Sequence, residues 1–236
     1  MTGYVRWRDI RAEHIERAGG EPAVEIGKQE RLAEVREFGF QEQCRNMGSI
    51  QSAGQRSRIG GGMTVVEAEV ISTERLELLP LVVGHAEEMC EVLGDPALHA
   101  FIGGAPDGLE ALRRRYQSML AGSPDPAVSW CNWVIRLRDE GCLTGTVQAT
   151  IGPSGEGTVA EIAWVVGTPW QRRGIGGEAA RGLVAWLGRQ PVQAVIAHIH
   201  PAHTASAAVA TTAGLTPTDQ SHDGETLWHL SLPMTK

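Results

Sequence analysis

The pattern of apolar and polar positions becomes readable as a fold from residue 72 onward. Thr73-Glu74-Arg75-Leu76-Glu77-Leu78-Leu79-Pro80-Leu81 alternates and predicts a strand. His85 to Leu93 predicts a short helix, stopped by Gly94-Asp95-Pro96. Leu109, Leu112, Tyr116, Met119 and Leu120 fall on one face of a second helix, Leu109 to Leu120. Trp130–Leu137 and Leu143–Ile151 read as two strands of a hairpin, turned at Arg138-Asp139-Glu140-Gly141. Val159–Val166 is the next strand, and an apolar helical pattern runs from Glu178 to Leu187. Val192–Ile199 reads as a strand, His203–Thr212 as a small-residue helix ending at Gly214, and Leu227–Leu232 as a closing strand. Gly103 to Pro106 and Asp219 to Gly224 read as loops.

Residues 4–37 are charged and helical in pattern, broken at Gly19-Gly20-Glu21-Pro22. Residues 38–62 are rich in Gly, Ser, Gln and Arg without apolar periodicity, so they read as a disordered linker. Met63 opens a stretch that makes sense as a protein start, so residues 1–62 are read as a remnant or a mis-assigned start. Intact mass from the native source tests that reading. The working domain is expected at 63–236.

Composition narrows the class. Apolar residues make up 42% of 236, enough for a packed core. No run reaches the ~18 apolar residues of a membrane span, and the first residues lack the apolar stretch of a signal peptide. Cys44, Cys90, Cys131 and Cys142 are widely spaced, which fits reduced thiols and a cytoplasmic location. Of the net charge of −7, residues 63–236 carry −8 and residues 1–62 carry +1. That acidity argues against nucleic acid and favours a cationic substrate.

The chemistry centres on Gln171-Arg172-Arg173-Gly174-Ile175-Gly176, between a strand and a helix. The first amides of a helix lack intrahelical acceptors and lie at the positive end of its dipole, so such a junction attracts anions. Glycines at Gly174 and Gly176 let a phosphate approach, and Arg172 and Arg173 add charge. The spacing fits neither the Walker loop nor the dinucleotide fingerprint, whose last glycine is Ala179 here.

The loop resembles the Q/R-x-x-G-x-G/A loop of the GNAT acyltransferase superfamily, with Gln171, Gly174 and Gly176 at its defining positions. The element order β-α-α-β-β-β-α-β-α-β is similar to that family over Ile71 to Leu232. Thr73-Glu74-Arg75-Leu76 and Ala160-Glu161-Ile162-Ala163-Trp164 look most like its ribosomal-protein N-terminal acetyltransferase branch. Residues 1–37 resemble, by texture, the lead-in of an Xre-type antitoxin. The resemblance implies an α/β (α+β) fold with a mixed central sheet flanked by helices. It also implies transfer of an acetyl group from acetyl-CoA to a primary amine by direct attack in a ternary complex, without a metal. The acceptor would be a small molecule or a protein N-terminus, and a homodimer stays open. Two rivals stay beside it: a CoA-binding module without turnover, and an acetyltransferase tethered to a partner through residues 1–62.

Within that resemblance, Gln171, Arg172, Arg173, Gly174, Ile175 and Gly176 would hold the pyrophosphate. A bulge at Val165–Val166 would free backbone groups for the pantetheine arm and the thioester oxygen. Removing a proton from an ammonium of pKa ~10 at pH 7 costs ~4 kcal/mol, and Glu161 is the one ionisable residue on its strand, hence the candidate base. The family's Asn and Tyr positions fall on His203 and Ala210, so no Tyr protonates the leaving thiolate. A thiol of pKa ~8.5 needs only ~2 kcal/mol of help at pH 7. Ser206 or His203 could supply it by a hydrogen bond; Ser206 is assigned a modest role, more for contacting CoA than for proton transfer, and His203, counted among the cofactor contacts, a substrate-side or helix-capping role. His198, His200 and His203 have the spacing of a metal site but no fourth ligand nearby, so His198 and His200 are read as packing and hydrogen-bonding residues.

Overall fold

The computed structural model describes residues 65–99, 105–155 and 157–233. The readings of residues 1–62 and of Gly103 and Gly104 lie outside them. Eight strands form one sheet: β1 Ile71–Ser72, β2 Leu76–Pro80, β3 Ser129–Leu137, β4 Leu143–Ser154, β5 Gly157–Val166, β6 Ala194–Ile199, β7 Thr216–His222 and β8 Glu225–Ser231. Four helices accompany them: α1 Ala86–Val92, α2 Leu109–Leu120, α3 Ile175–Leu187 and α4 Thr204–Thr212. The strand order is β1-β2-β3-β4-β5-β6-β8-β7. Every neighbouring pair is antiparallel except β5 and β6, whose parallel pairing requires the α3 crossover.

Period-two alternation divides the sheet into two apolar faces. Trp133, Ile135, Val147, Ala160, Ile162, Val195, Ala197 and Ile199 join α3 and Ala210 of α4 in the larger cluster. Trp133 and Trp186 meet edge to face there, with centroids 5.1 Å apart. Val134 and Leu143 pack under α1 and α2 in a smaller cluster. The helices cover the β2–β4 part of that face. Glu161, Ala163 and Val165 of β5 alternate with the core residues and point to the same side.

The sequence reading of α2 has the observed ends, and those of β3, β4 and β5 come within three residues. One region is corrected. Asp219 to Gly224 is not a loop: Thr216–His222 is the edge strand β7, joined to β8 by a two-residue turn. Asp223 and Gly224 both have positive φ, 51° and 79°, as that tight hairpin turn demands. The polar sequence Thr-Pro-Thr-Asp-Gln-Ser-His hid it, because an edge strand pairs on one side only and most of these side chains are exposed.

Candidate active site

β5 and β6 pair over only three residues, Val159↔Ala194, Ala160↔Val195 and Glu161↔Ile196. β5 continues to Val166 and β6 to Ile199 without further pairing, so the two strands form a fork whose head is at Glu161. The fork does not come from a bulge in β5. Its register with β4 runs unbroken from Ser154↔Gly157 to Gly145↔Val166.

Backbone alternation then separates Val165 from Val166. Gly167 N donates to Thr144 O at 2.8 Å, so Val165, two residues earlier, also turns its peptide groups toward β4. Val166 and Trp164 turn theirs into the fork. Val166 O accepts from Gln171 Nε2 at 3.0 Å. Of the two, only Val166 presents its peptide groups to the fork. Gly145 makes this closeness feasible: a Cβ there would lie 2.1 Å from Val165 O.

The loop leaves the strand through a 3-10 turn, Thr168–Trp170, and reaches Gly174, the N-cap of α3. Gly174 has φ 78°, a left-handed conformation that suits glycine. Arg172 also has positive φ, 59°. The first backbone bond of the helix runs from Glu178 N to Gly174 O, 3.0 Å. Among the described residues the amides of 172–177 find no acceptor, so a row of donors faces outward at the positive end of α3.

Gly176 also has a packing job. A Cβ on it would meet Val209 Cγ2 at 3.2 Å and Val166 Cγ2 at 3.5 Å. On Gly177 it would meet Thr212 Cγ2 at 2.9 Å. These glycines let α3 lie close against α4 and β5. Arg173 reaches back to Glu140, which holds that carboxyl below its usual range. Among the described residues Arg172 makes no ion pair. Trp170 packs at the seam of both apolar clusters, as a structural anchor.

The loop is anchored by contacts that the sequence did not reveal. Glu178, in the first turn of α3, is buried, and it accepts from Thr73 Oγ1 (2.6 Å), Arg75 N (2.8 Å) and Arg75 Nε (2.8 Å). Arg75 Nη1 donates onward to Arg173 O at 3.1 Å. Thus the Thr73-Glu74-Arg75 corner grips the loop and the helix start together. Burial pushes the Glu178 carboxyl up, but these hydrogen bonds and the Arg75 charge outweigh it, and the net shift is downward.

The three histidines do separate work. His203 caps α4, its Nδ1 accepting from Ser206 N at 2.9 Å, so its capping role holds. His200 Nδ1 accepts from Ala202 N at 3.1 Å in the preceding turn. His198 Nδ1 lies 3.1 Å from Glu161 Oε1. Among the described residues no three His, Cys, Asp or Glu side chains converge as metal ligands. Glu161 is therefore neither a free strand-end carboxylate nor paired to an Arg; its partner is His198, 37 residues away. Ala210, at the family's Tyr position, is wholly buried in the core. Ser206 precedes it by one helical turn.

The comparisons with known proteins agree with this fold. The profile of the Acetyltransferase (GNAT) domain matches residues 75–216, more than half of the chain. A GNAT-family acetyltransferase from Bacillus anthracis superposes with a TM-score of 0.56 at 20% identity, covering 69% of this chain and 98% of that one. An acetyltransferase from Salmonella typhimurium that modifies the N-terminal serine of a 50S ribosomal subunit protein gives 0.58 at 17% identity, covering 70% and 100%. RimL, a ribosomal-protein alpha-N acetyltransferase in complex with coenzyme A, gives 0.57 at 17%, covering 70% and 98%. No curated protein sequence matches the chain significantly. Among the described residues no helix is long and apolar enough to cross a membrane. With a matched domain over residues 75–216, the sheet fork and the outward-facing loop amides, the chain belongs to the GNAT acetyltransferase family.

Proposed function

We propose that the protein is an N-acetyltransferase that moves the acetyl group of acetyl-CoA to a primary amine in a ternary complex. The observation that carries the reading is the fork between β5 and β6, with unsatisfied amides 172–177 at one end and a carboxylate, Glu161, at its head. Loop amides, Arg172 and the α3 dipole would hold the pyrophosphate. Peptide groups of Trp164 and Val166 in the fork would take the pantetheine arm and the thioester oxygen. Glu161 would assist deprotonation of the acceptor ammonium. The amine would then attack the carbonyl and expel the thiolate. With Ala210 in the core, Ser206 Oγ is the hydroxyl assigned to assist that departure. No metal enters the scheme.

The acceptor is an N-terminal amine or a small-molecule amine. The ribosomal N-terminal acetyltransferases among the structural neighbours support the first choice. Thiol release from acetyl-CoA, followed with a Ser-initiated hexapeptide, spermidine and an aminoglycoside, tests the reading. Turnover with one acceptor class supports it. No turnover with tight acetyl-CoA binding would favour a CoA-binding module without catalysis, which the buried Ala210 makes the second reading.

A further inference from the structure

His198 is absent from the scheme above, yet it is the most constrained polar group near the fork. Its side chain is only 9% exposed, against 32% for Glu161. Its Nε2 is buried without a hydrogen-bond partner. Buried polar atoms without partners are rare, and each has a reason. Among the described residues the other such atom is Tyr116 Oη, which sits in the apolar cluster under α1 and α2.

The chemistry of the pair constrains the ring. An ionised carboxylate only accepts hydrogen bonds, so His198 Nδ1 carries the proton facing Glu161 Oε1. In the neutral ring Nε2 then holds a lone pair. That lone pair lacks a donor at the head of the fork, where the proposed reaction brings an ammonium. The surrounding charges are few. β5 contributes Glu161. β8 contributes His229, opposite Ile196, and Glu225, two residues before Leu227, which lies opposite His198. α4 packs on the other face, and its segment Thr204–Thr212 has no titratable side chain.

We propose that His198 is the proton acceptor of the amine site, with Glu161 orienting and supporting its ring and the buried Nε2 uncovered to the acceptor's ammonium when substrate enters the fork. The inference rests on the amine-acetylation reading. An ammonium R-NH3+ gives one proton to Nε2, and the amine nitrogen forms a bond to the acetyl carbon. The C–S bond breaks and the electron pair leaves on sulfur. The second nitrogen proton is shed on collapse, and the thiolate takes up one proton. One proton in total goes to solvent from His198. Glu161 stabilises the transient imidazolium and is not itself consumed. The division of labour resembles a base oriented by a carboxylate.

The test uses the full chain labelled with 15N-histidine. Multiple-bond proton–nitrogen spectra of wild type, Glu161→Gln and His198→Gln identify the His198 tautomer without any substrate. The expected result is a neutral ring protonated on Nδ1 in wild type, and a changed tautomer balance in Glu161→Gln. A ring protonated on Nε2 in wild type, or a tautomer unmoved by Glu161→Gln, overturns the dyad. In parallel, kcat/KM for the Ser-initiated hexapeptide is followed from pH 6 to 9. His198→Gln is expected to lose about 100-fold at pH 7 and to flatten the ascending limb, with acetyl-CoA affinity unchanged. Wild-type pH dependence retained in His198→Gln overturns the proposal. A wild-type chain that releases no thiol with any amine overturns the acetylation reading instead, and the tautomer still decides the dyad.

Discussion

Glu178→Gln isolates the contact that holds the loop in place. The amide keeps an oxygen for Thr73 Oγ1 and Arg75 N, but turns an NH2 toward the Arg75 guanidinium. Two charge-assisted bonds, from Arg75 Nε and Nη2, are lost. Each is worth about 1.5–3 kcal/mol when dry. The Arg75 side chain is 43% exposed, so the pair is discounted to about 2 kcal/mol. A lost carboxylate in the first turn of α3 adds about 0.5 kcal/mol through the helix dipole. The expected loss is therefore about 2.5 kcal/mol, or roughly 5–10 °C in Tm for a domain of this size. Glu178 has a folded pKa below its ordinary value of 4.5. Its contribution is thus fully present above that ordinary value and is lost as the pH falls through the lower folded one. Urea melts of both proteins at pH 7 and in acid measure the difference. Near-equal stability at pH 7, or a gap that widens in acid, would refute the reasoning.

Three further outcomes follow from the same geometry. Gly145→Ala should cost about 2–3 kcal/mol and weaken acetyl-CoA binding, because its Cβ forces β5 away from β4 beside Val166; a Tm equal to wild type would contradict it. Arg172→Glu should leave stability within about 0.5 kcal/mol but lower acetyl-CoA affinity about tenfold at low salt, less so at high salt. Unchanged affinity in a calorimetric titration would remove Arg172 from the anion site. Glu161→Gln should lower kcat about 100-fold with little change in acetyl-CoA affinity, read by thiol release; a full-rate variant would exclude a role in proton transfer.

Local patterns made much of this molecule legible. The apolar stripe of Leu109, Leu112 and Tyr116 and the alternation of β3 and β4 are properties of short windows, and they define those elements. The loop could be found because its Gln, Gly and Arg spacing is local too. What escaped the sequence was carried by distant partners. Glu178 meets Arg75 across 103 residues, and Glu161 meets His198 across 37. Gly176 looked like a phosphate-loop glycine, and its additional packing against α4 is revealed only by the position of Val209. Val165 and Val166 could not be told apart until the β4 register fixed which peptide faces the fork. β7 left no apolar trace because it buries almost nothing.

Isothermal titration of the full chain with acetyl-CoA, beside free CoA and ATP, tests the central claim most directly. The account predicts a Kd of about micromolar for acetyl-CoA and CoA, and much weaker binding of ATP, which has phosphates for the loop but no pantetheine arm for the fork. Equal binding of all three would reduce the site to a general anion loop. No binding of either CoA compound would contradict the assignment of the fork and residues 171–176 to an acyl-CoA site.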